Sequence, residues 1–96
     1  MKPSEALQLH RKEIISIVEK HHAKNVRVFG SVLSGEDTEF SDLDLLVDTT
    51  DKTTLFDIAR IQNQLQKLLN VSVDVLTPKG LPARFRAKIL KEANPV

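Results

Sequence analysis

The stretch VFGSVLSGEDTEFSDLDLLVD, residues 28–48, contains the pattern that decides the fold. Apolar residues typical of strands stand at both of its ends, and a Gly-Ser pair and a polar, acidic loop lie between them. This order predicts two strands joined by a turn. Asp42 and Asp44 stand one residue apart where the second strand begins, although a carboxylate there is costly to bury unless a cation or a hydrogen-bond donor compensates it.

These two aspartates are predicted to face the same way. Residues i and i+2 of a strand point to one side of a sheet, so Asp42 and Asp44 share a face. Asp74 lies in a later run, NVSVDVL at 70–76, where valines alternate with polar residues as in a strand with one buried face. If the two strands are neighbours, three carboxylates meet at a site suited to one or two Mg²⁺ ions, because hard divalent cations prefer oxygen ligands.

The Gly-Ser pair, Gly30 and Ser31, fits the handling of phosphate groups. Glycine lets the main chain approach a ligand closely, and both the following N–H groups and the Ser31 hydroxyl can donate hydrogen bonds to phosphate oxygens. Phosphates held by this turn, with a metal ion between them and the carboxylates, would outline a site for nucleotidyl transfer.

The rest of the chain predicts helices around a small sheet. Helical spacing of apolar residues predicts three amphipathic helices, at residues 4–23, at residues 53–69 and beyond Pro82, where Phe85, Ile89 and Leu90 are expected to face inward. The resulting order, αβ(turn)βαβα, predicts an α/β (α+β) fold with a small three-stranded sheet, expected to be mixed, covered by helices. All 96 residues, 1–96, are expected to form one domain.

Composition narrows the classes of function. The formal charge is +1 and the only aromatic residues are four phenylalanines, so no direct nucleic-acid partner is expected. The absence of cysteine excludes disulfides and thiolate metal sites. No apolar stretch approaches the roughly 20 residues of a membrane span, and the first residues do not resemble a signal peptide. We therefore expect a soluble, cytoplasmic protein without a membrane partner.

The spacing of these motifs matches a known family. Gly30 and Ser31, ten intervening residues and then Asp42-Leu43-Asp44 form the pattern GSx10DxD. This pattern resembles the signature of the DNA polymerase beta-like nucleotidyltransferase superfamily. The whole chain is similar to the smallest branch of that superfamily, the minimal nucleotidyltransferases (MNT) that act as antitoxins of HEPN toxins.

The resemblance implies a role for each motif residue. The site would hold two Mg²⁺ ions, with Asp42 and Asp44 as ligands. Asp74 would be the third carboxylate and would help to deprotonate the acceptor. Gly30 and Ser31 would hold the β and γ phosphates of ATP. The implied reaction is attack of an acceptor hydroxyl on the α-phosphorus with release of pyrophosphate. The implied acceptor is a tyrosine of a cognate HEPN-family RNase toxin, which AMP transfer would silence.

One departure from the family pattern concerns positive charge. Relatives often have a basic residue shortly after the Gly-Ser pair, whereas this chain has the uncharged run at 32–34. If this chain supplies a charge that compensates a triphosphate, Lys79 or Arg60 would have to be that charge.

Alternative interpretations remain open at this point. The fold could neutralise the partner by occlusion with little catalysis, or the enzyme could modify a small molecule of the aminoglycoside type. Asp42 and Asp44 could also be ordinary turn residues. The residues Glu36, Asp37 and Glu39 are expected to form a solvated acidic loop.

Overall fold

The computed structural model describes residues 1–96 as five α-helices and four β-strands with one 3₁₀ turn. In chain order the elements are α1 (Pro3–Leu9), α2 (Arg11–Lys20), β1 (Ala23–Phe29), α3 (Ser31–Ser34), β2 (Leu43–Thr49), α4 (Leu55–Leu69), β3 (Val73–Leu76), the 3₁₀ turn (Pro78–Gly80), α5 (Ala83–Glu92) and β4 (Asn94–Pro95). The three predicted strands are all present. None of the helices combines the length and the apolar character that a membrane crossing requires.

The sheet is mixed, which confirms the predicted fold class. Its strand order is β3-β2-β1-β4. β1 runs antiparallel to β2 and to β4, whereas β2 and β3 are parallel and are joined by the crossover through α4. β4 was not predicted, because two residues containing a proline carry no strand signal.

The two faces of the sheet differ in how they are covered. On the first face, Leu43, Leu45 and Val47 of β2 belong to the main core, to which α1, α2 and α4 contribute apolar side chains. On the second face, a smaller cluster contains Leu46, and Ile89 of α5 packs against it. Because side chains alternate along a strand, Asp44 lies on this second face with Leu46.

Helix α4 covers the first face and also protects the edge of the sheet. Thr54 and Asp57 form a capping box at its start, and Asn70 ends it in a left-handed conformation. Its side chains Gln62 and Gln66 accept hydrogen bonds from backbone N–H groups of β3, at 3.0 and 3.1 Å. These bonds satisfy donors that an edge strand would otherwise expose.

The first predicted helix is in fact two helices that meet at His10. Neither a proline nor a glycine marks this junction, and the His10 carbonyl still accepts a hydrogen bond from the Ile14 N–H at 2.9 Å. The acidic loop also departs from prediction: Asp37 is buried, and its carboxylate accepts a 2.9 Å hydrogen bond from the Ser4 N–H at the start of α1. Asp37 is therefore a helix cap rather than part of a solvated patch.

Helix α5 is more exposed than predicted. None of its residues is buried, and the side chains of Phe85 and Leu90 are 46% and 38% exposed. Ile89 alone among the three predicted inward residues packs against the small cluster of the second face. The helix therefore lies over that face without sealing it.

Candidate active site

The Gly-Ser turn is held directly against a carboxylate. Gly30 follows the last residue of β1 and has a positive φ of 76°. A Cβ atom at this position would lie 2.3 Å from Oδ2 of Asp44. Glycine is therefore required both by the backbone conformation and by the space that the Asp44 carboxylate occupies.

Strand pairing places the predicted carboxylates together. Asp44 is the register partner of Asp74 in the parallel pair of β2 and β3, so both side chains lie on the same face of adjacent strands. The hydrogen bond from the Leu43 N–H to the Ser72 carbonyl, 2.8 Å long, holds this register. Asp42 lies immediately before β2 and is exposed. It is close enough to Asp44 to raise the pKa of that carboxyl group.

The electrostatics of this cluster are unfavourable in the protein alone. Burial, together with the negative charges of Asp74 and Asp42, raises the pKa of Asp44 to about 6. No hydrogen-bond donor or cation of the protein contributes to that shift, and no ion pair involves any of the three side chains. The cluster thus carries negative charge that the chain itself does not compensate.

The donor set fits a divalent cation. Three carboxylates without protein partners are the hard oxygen ligands that Mg²⁺ prefers. They do not form a finished cage, since no three His, Cys, Asp or Glu side chains are already grouped to hold an ion jointly. Asp42 and Asp74 are exposed, however, so their side chains can rotate towards an ion beside Asp44.

Ser31 begins the four-residue helix α3 and is half-buried. The turn around it is fixed by its own backbone, because the Ser31 carbonyl accepts a 2.9 Å hydrogen bond from the Glu36 N–H. The N–H of Ser34 also donates to the Gly30 carbonyl at 3.2 Å. These bonds hold Gly30 and Ser31 in one conformation beside Asp44.

The expected compensating cations, Lys79 and Arg60, do not lie at this cluster. Lys79 lines a cavity of about 420 Å³ with Asp48 and Thr49, which belong to the opposite end of β2. Arg60 belongs to α4, which packs on the other face of the sheet, and its guanidinium lies 4.0 Å from Asp57. That prediction was wrong, because sequence distance alone cannot show on which face of a sheet a helix packs.

Sequence reasoning missed a basic residue near the turn. Lys88 of α5 and Gly30 line the same cavity, which measures about 540 Å³ and lies between α3 and α5. The signal available in the sequence was helical spacing, since Phe85, Lys88, Ile89 and Glu92 stand at positions i, i+3, i+4 and i+7. What the spacing could not reveal was that this stripe faces the Gly-Ser turn.

Comparisons with known proteins show the family of this chain. The family model described as polymerase beta, nucleotidyltransferase matches residues 12–96. A candidate protein adenylyltransferase of Methanocaldococcus jannaschii is 36% identical over 83 residues, which are 86% of this chain and 89% of the relative. The protein adenylyltransferase MntA of Thermococcus cleftensis is 31% identical over 86 residues, covering 90% and 84% of the two chains.

Solved structures also share the fold. A candidate minimal nucleotidyltransferase superposes with a TM-score of 0.86 at 45% identity, over 97% of this chain and 95% of that one. A chain in the complex of the tri-AMPylated Shewanella oneidensis HEPN toxin with an MNT antitoxin gives a TM-score of 0.67 at 18% identity, over 92% and 69%. The second likeness, at this low identity, concerns the fold alone. With the family model matched over most of its length, the chain belongs to the polymerase beta nucleotidyltransferase family.

Proposed function

We propose that this protein is a Mg²⁺-dependent protein adenylyltransferase that moves AMP from ATP to a tyrosine hydroxyl of a HEPN-family toxin, and so acts as its antitoxin. The observation that carries the proposal is the placement of Asp44 beside Asp74, with Gly30 pressed against the Asp44 carboxylate. This arrangement joins a cation site to a turn suited to phosphate groups. The cytoplasm, the compartment expected from the sequence, supplies both ATP and Mg²⁺.

Each residue of the cluster has a proposed role. Asp42 and Asp44 would hold Mg²⁺, and Asp74 would complete the ligand set on the side of the acceptor. When bound, the two ions supply charge neutralisation for the phosphates and lower the pKa of the attacking hydroxyl. Gly30 and Ser31 orient the β and γ phosphates through backbone N–H groups and the Ser31 hydroxyl.

The proposed reaction is a single displacement at the α-phosphorus. The tyrosine oxygen forms a bond to this phosphorus, while the bond from the phosphorus to the oxygen that bridges to the β-phosphate breaks. Pyrophosphate takes the electron pair and leaves. Asp74 would receive or relay the hydroxyl proton.

Two observations support a protein as the acceptor: the names of the relatives and an exposed side chain close in sequence to the carboxylates. The named relatives are protein adenylyltransferases, and a structural neighbour comes from a complex with an AMPylated HEPN toxin. Phe40 stands two residues before Asp42, and its side chain is 94% exposed. An exposed aromatic side chain this close in sequence to the carboxylates is typical of a surface that a protein partner covers.

The proposed reaction can be tested with a purified HEPN-family toxin as acceptor. ATP labelled on the α-phosphate should transfer label to the toxin in the presence of Mg²⁺. The double variant Asp42→Asn with Asp44→Asn should reduce labelling to background, whereas Asp51→Asn, a charge-matched change in an exposed turn, should leave it intact. Absence of labelling by a folded wild-type pair would contradict the transferase proposal.

The same variants separate catalysis from occlusion. If the double asparagine variant binds the toxin but no longer protects cells from it, chemistry is required for neutralisation. If that variant still protects cells, the protein acts as a binding module and the proposed antitoxin mechanism is wrong.

A further inference from the structure

The groove between α3 and α5 is the largest cavity next to the Gly-Ser turn. Its volume is about 540 Å³, which falls within the roughly 300–1,000 Å³ common for small-molecule sites. One wall consists of Phe29, Gly30, Leu33 and Ser34, and the other is the stripe of α5 that contains Phe85 and Lys88. The lining is mostly apolar with a few polar groups, as in sites that bind a ligand with an aromatic part and a charged part.

The groove lies on the same face of the sheet as the carboxylates. Phe29 is the register partner of Asp44 in the antiparallel pair of β1 and β2, so the two side chains share a face. Gly30 lines the groove and also meets the Asp44 carboxylate. The groove therefore adjoins the acidic cluster at Gly30.

Lys88 is the only basic residue in this lining. Its ammonium group forms no ion pair, although Glu92 stands one turn further along the same stripe. The turn on the opposite wall offers no cation, since residues 32–34 are uncharged. A triphosphate needs a positive charge beside it, and the Gly-Ser turn has none. The unpaired Lys88 on the opposite wall can supply that charge.

Phe85 gives the same wall an aromatic surface. It lies one helical turn before Lys88, and its side chain is 46% exposed. The Arg84 guanidinium carbon lies 4.8 Å from the centre of the ring. A half-exposed ring whose one face is covered by a guanidinium can still offer apolar contact to a nucleoside.

We infer that this groove binds the nucleoside triphosphate, with Lys88 against its phosphates and Phe85 against its nucleoside. The inference rests on the proposed function, because it names where ATP sits in that reaction. It assigns to α5, the least buried helix of the fold, the role of completing the nucleotide site.

Binding of a nucleotide that cannot react tests this inference without any acceptor. The probe is α,β-methylene-ATP with Mg²⁺, titrated calorimetrically into wild type and into variants shown by circular dichroism to be folded. Lys88→Gln should weaken binding roughly tenfold, the loss expected for one charge-assisted contact. Lys88→Arg should restore most of the affinity, and Phe85→Ala should weaken binding several-fold. Lys91→Gln, an exposed lysine on the same helix but outside the groove, is the matched control and should bind as wild type.

The outcomes distinguish this inference from the proposed function. If wild type binds the analogue but Lys88→Gln binds it equally well, or if Lys91→Gln weakens binding as much, the groove assignment is wrong while nucleotide chemistry stands. If the groove variants keep nucleotide affinity and lose affinity for the toxin, the groove docks the protein partner instead. If wild type binds no analogue, both the groove assignment and the transferase proposal are overturned.

Discussion

The two ends of strand β2 surround an aspartate with opposite kinds of neighbour. Asp44 and Asp48 lie on the same face, four residues apart. The Asp48 carboxylate is paired with the Arg27 guanidinium and accepts a 2.9 Å hydrogen bond from the Asn25 side chain. Asp44 instead has Asp74 and Asp42 as charged neighbours, and burial together with these charges raises its pKa to about 6.

The two buried carboxylates, Asp37 and Asp57, also have hydrogen-bond donors. Asp57 accepts hydrogen bonds from the Thr54 backbone and lies near His22, and these contacts lower its pKa. The Ser4 backbone likewise lowers the pKa of Asp37. The chain therefore supplies donors wherever a carboxylate serves the fold, and supplies none at Asp44. The acidic cluster thus lacks the partners that the chain gives to Asp37, Asp48 and Asp57. This lack is the reason for proposing a cation as its partner.

The largest contrast is expected in activity. Asp44→Asn should reduce AMP transfer to the toxin by about a thousandfold or more, because the loss of a metal ligand removes several kcal/mol of transition-state stabilisation. Asp48→Asn removes the same charge from the same face and should reduce the rate by less than about tenfold. Initial rates of label transfer measure both. Equal losses in the two variants would mean that overall charge, rather than position, controls the reaction.

A smaller but sharper contrast concerns glycine. Gly30 and Gly35 both have positive φ values, 76° and 78°, so alanine strains the backbone at either position. Only at Gly30 would the new Cβ meet the Asp44 carboxylate, whereas nothing lies within 4 Å at Gly35. Gly30→Ala should therefore lower transfer by about a hundredfold, a displacement effect of the kind known for misplaced groups. Gly35→Ala should lower it little while losing similar stability, and a similar loss of activity there would refute the steric explanation.

The paired end of β2 should matter for stability. Asp48→Asn leaves the Arg27 guanidinium, whose side chain is only 13% exposed, without its charged partner. We expect a loss of about 1–3 kcal/mol in the free energy of unfolding. Urea denaturation of Asp48→Asn beside Asp51→Asn measures it. No difference between the two would show that the pair is merely a surface contact.

Substitution at the unpaired end should change stability in the opposite direction. Asp44→Asn should raise the free energy of unfolding, by an amount that depends on pH. Folded Asp44 keeps its proton up to about pH 6, whereas the unfolded residue releases it near 3.8. The folded state thus binds more protons between these values, and metal-free stability falls as the pH rises through this window. For a half-exposed group the loss is about 1 kcal/mol after solvent screening is considered.

Asp44→Asn removes this titration. In EDTA its stability should equal that of wild type near pH 4 and exceed it by that amount above pH 7. Urea denaturation at the two pH values measures the difference. A variant that is less stable than wild type above pH 7 would show that the Asp44 carboxylate has a stabilising partner.

The sequence was sufficient for the parts that short-range patterns control. An apolar run predicted β2, alternation predicted β3, and the spacing from Gly30 to Asp44 predicted the family. The i, i+2 rule placed Asp42 and Asp44 together, and the parallel pairing that brings Asp74 beside them was left as a condition on neighbouring strands. These features follow from local geometry, so a single sequence is enough to predict them.

The rest depended on tertiary packing that no local pattern encodes. Nothing in the local sequence tells which of Lys79 and Lys88 lies near the Gly-Ser turn. Only the direction of α5 over the sheet brings Lys88 to Gly30. Asp37 looked like a solvated residue because its partner, the Ser4 N–H, is 33 positions away. Long-range choices of face and partner therefore limited the prediction of the site more than the prediction of the fold.

The claim that the unpartnered carboxylates form a cation site is tested most directly by locating a bound ion. Mn²⁺, a paramagnetic substitute for Mg²⁺, broadens the NMR resonances of nearby amides. Titration into wild type should first broaden the amides of Gly30, Leu43 and Asp74, and Asp44→Asn should abolish this pattern while Asp48→Asn preserves it. Broadening that is centred on the Asp48 end of β2, or that is unchanged in Asp44→Asn, would contradict the account.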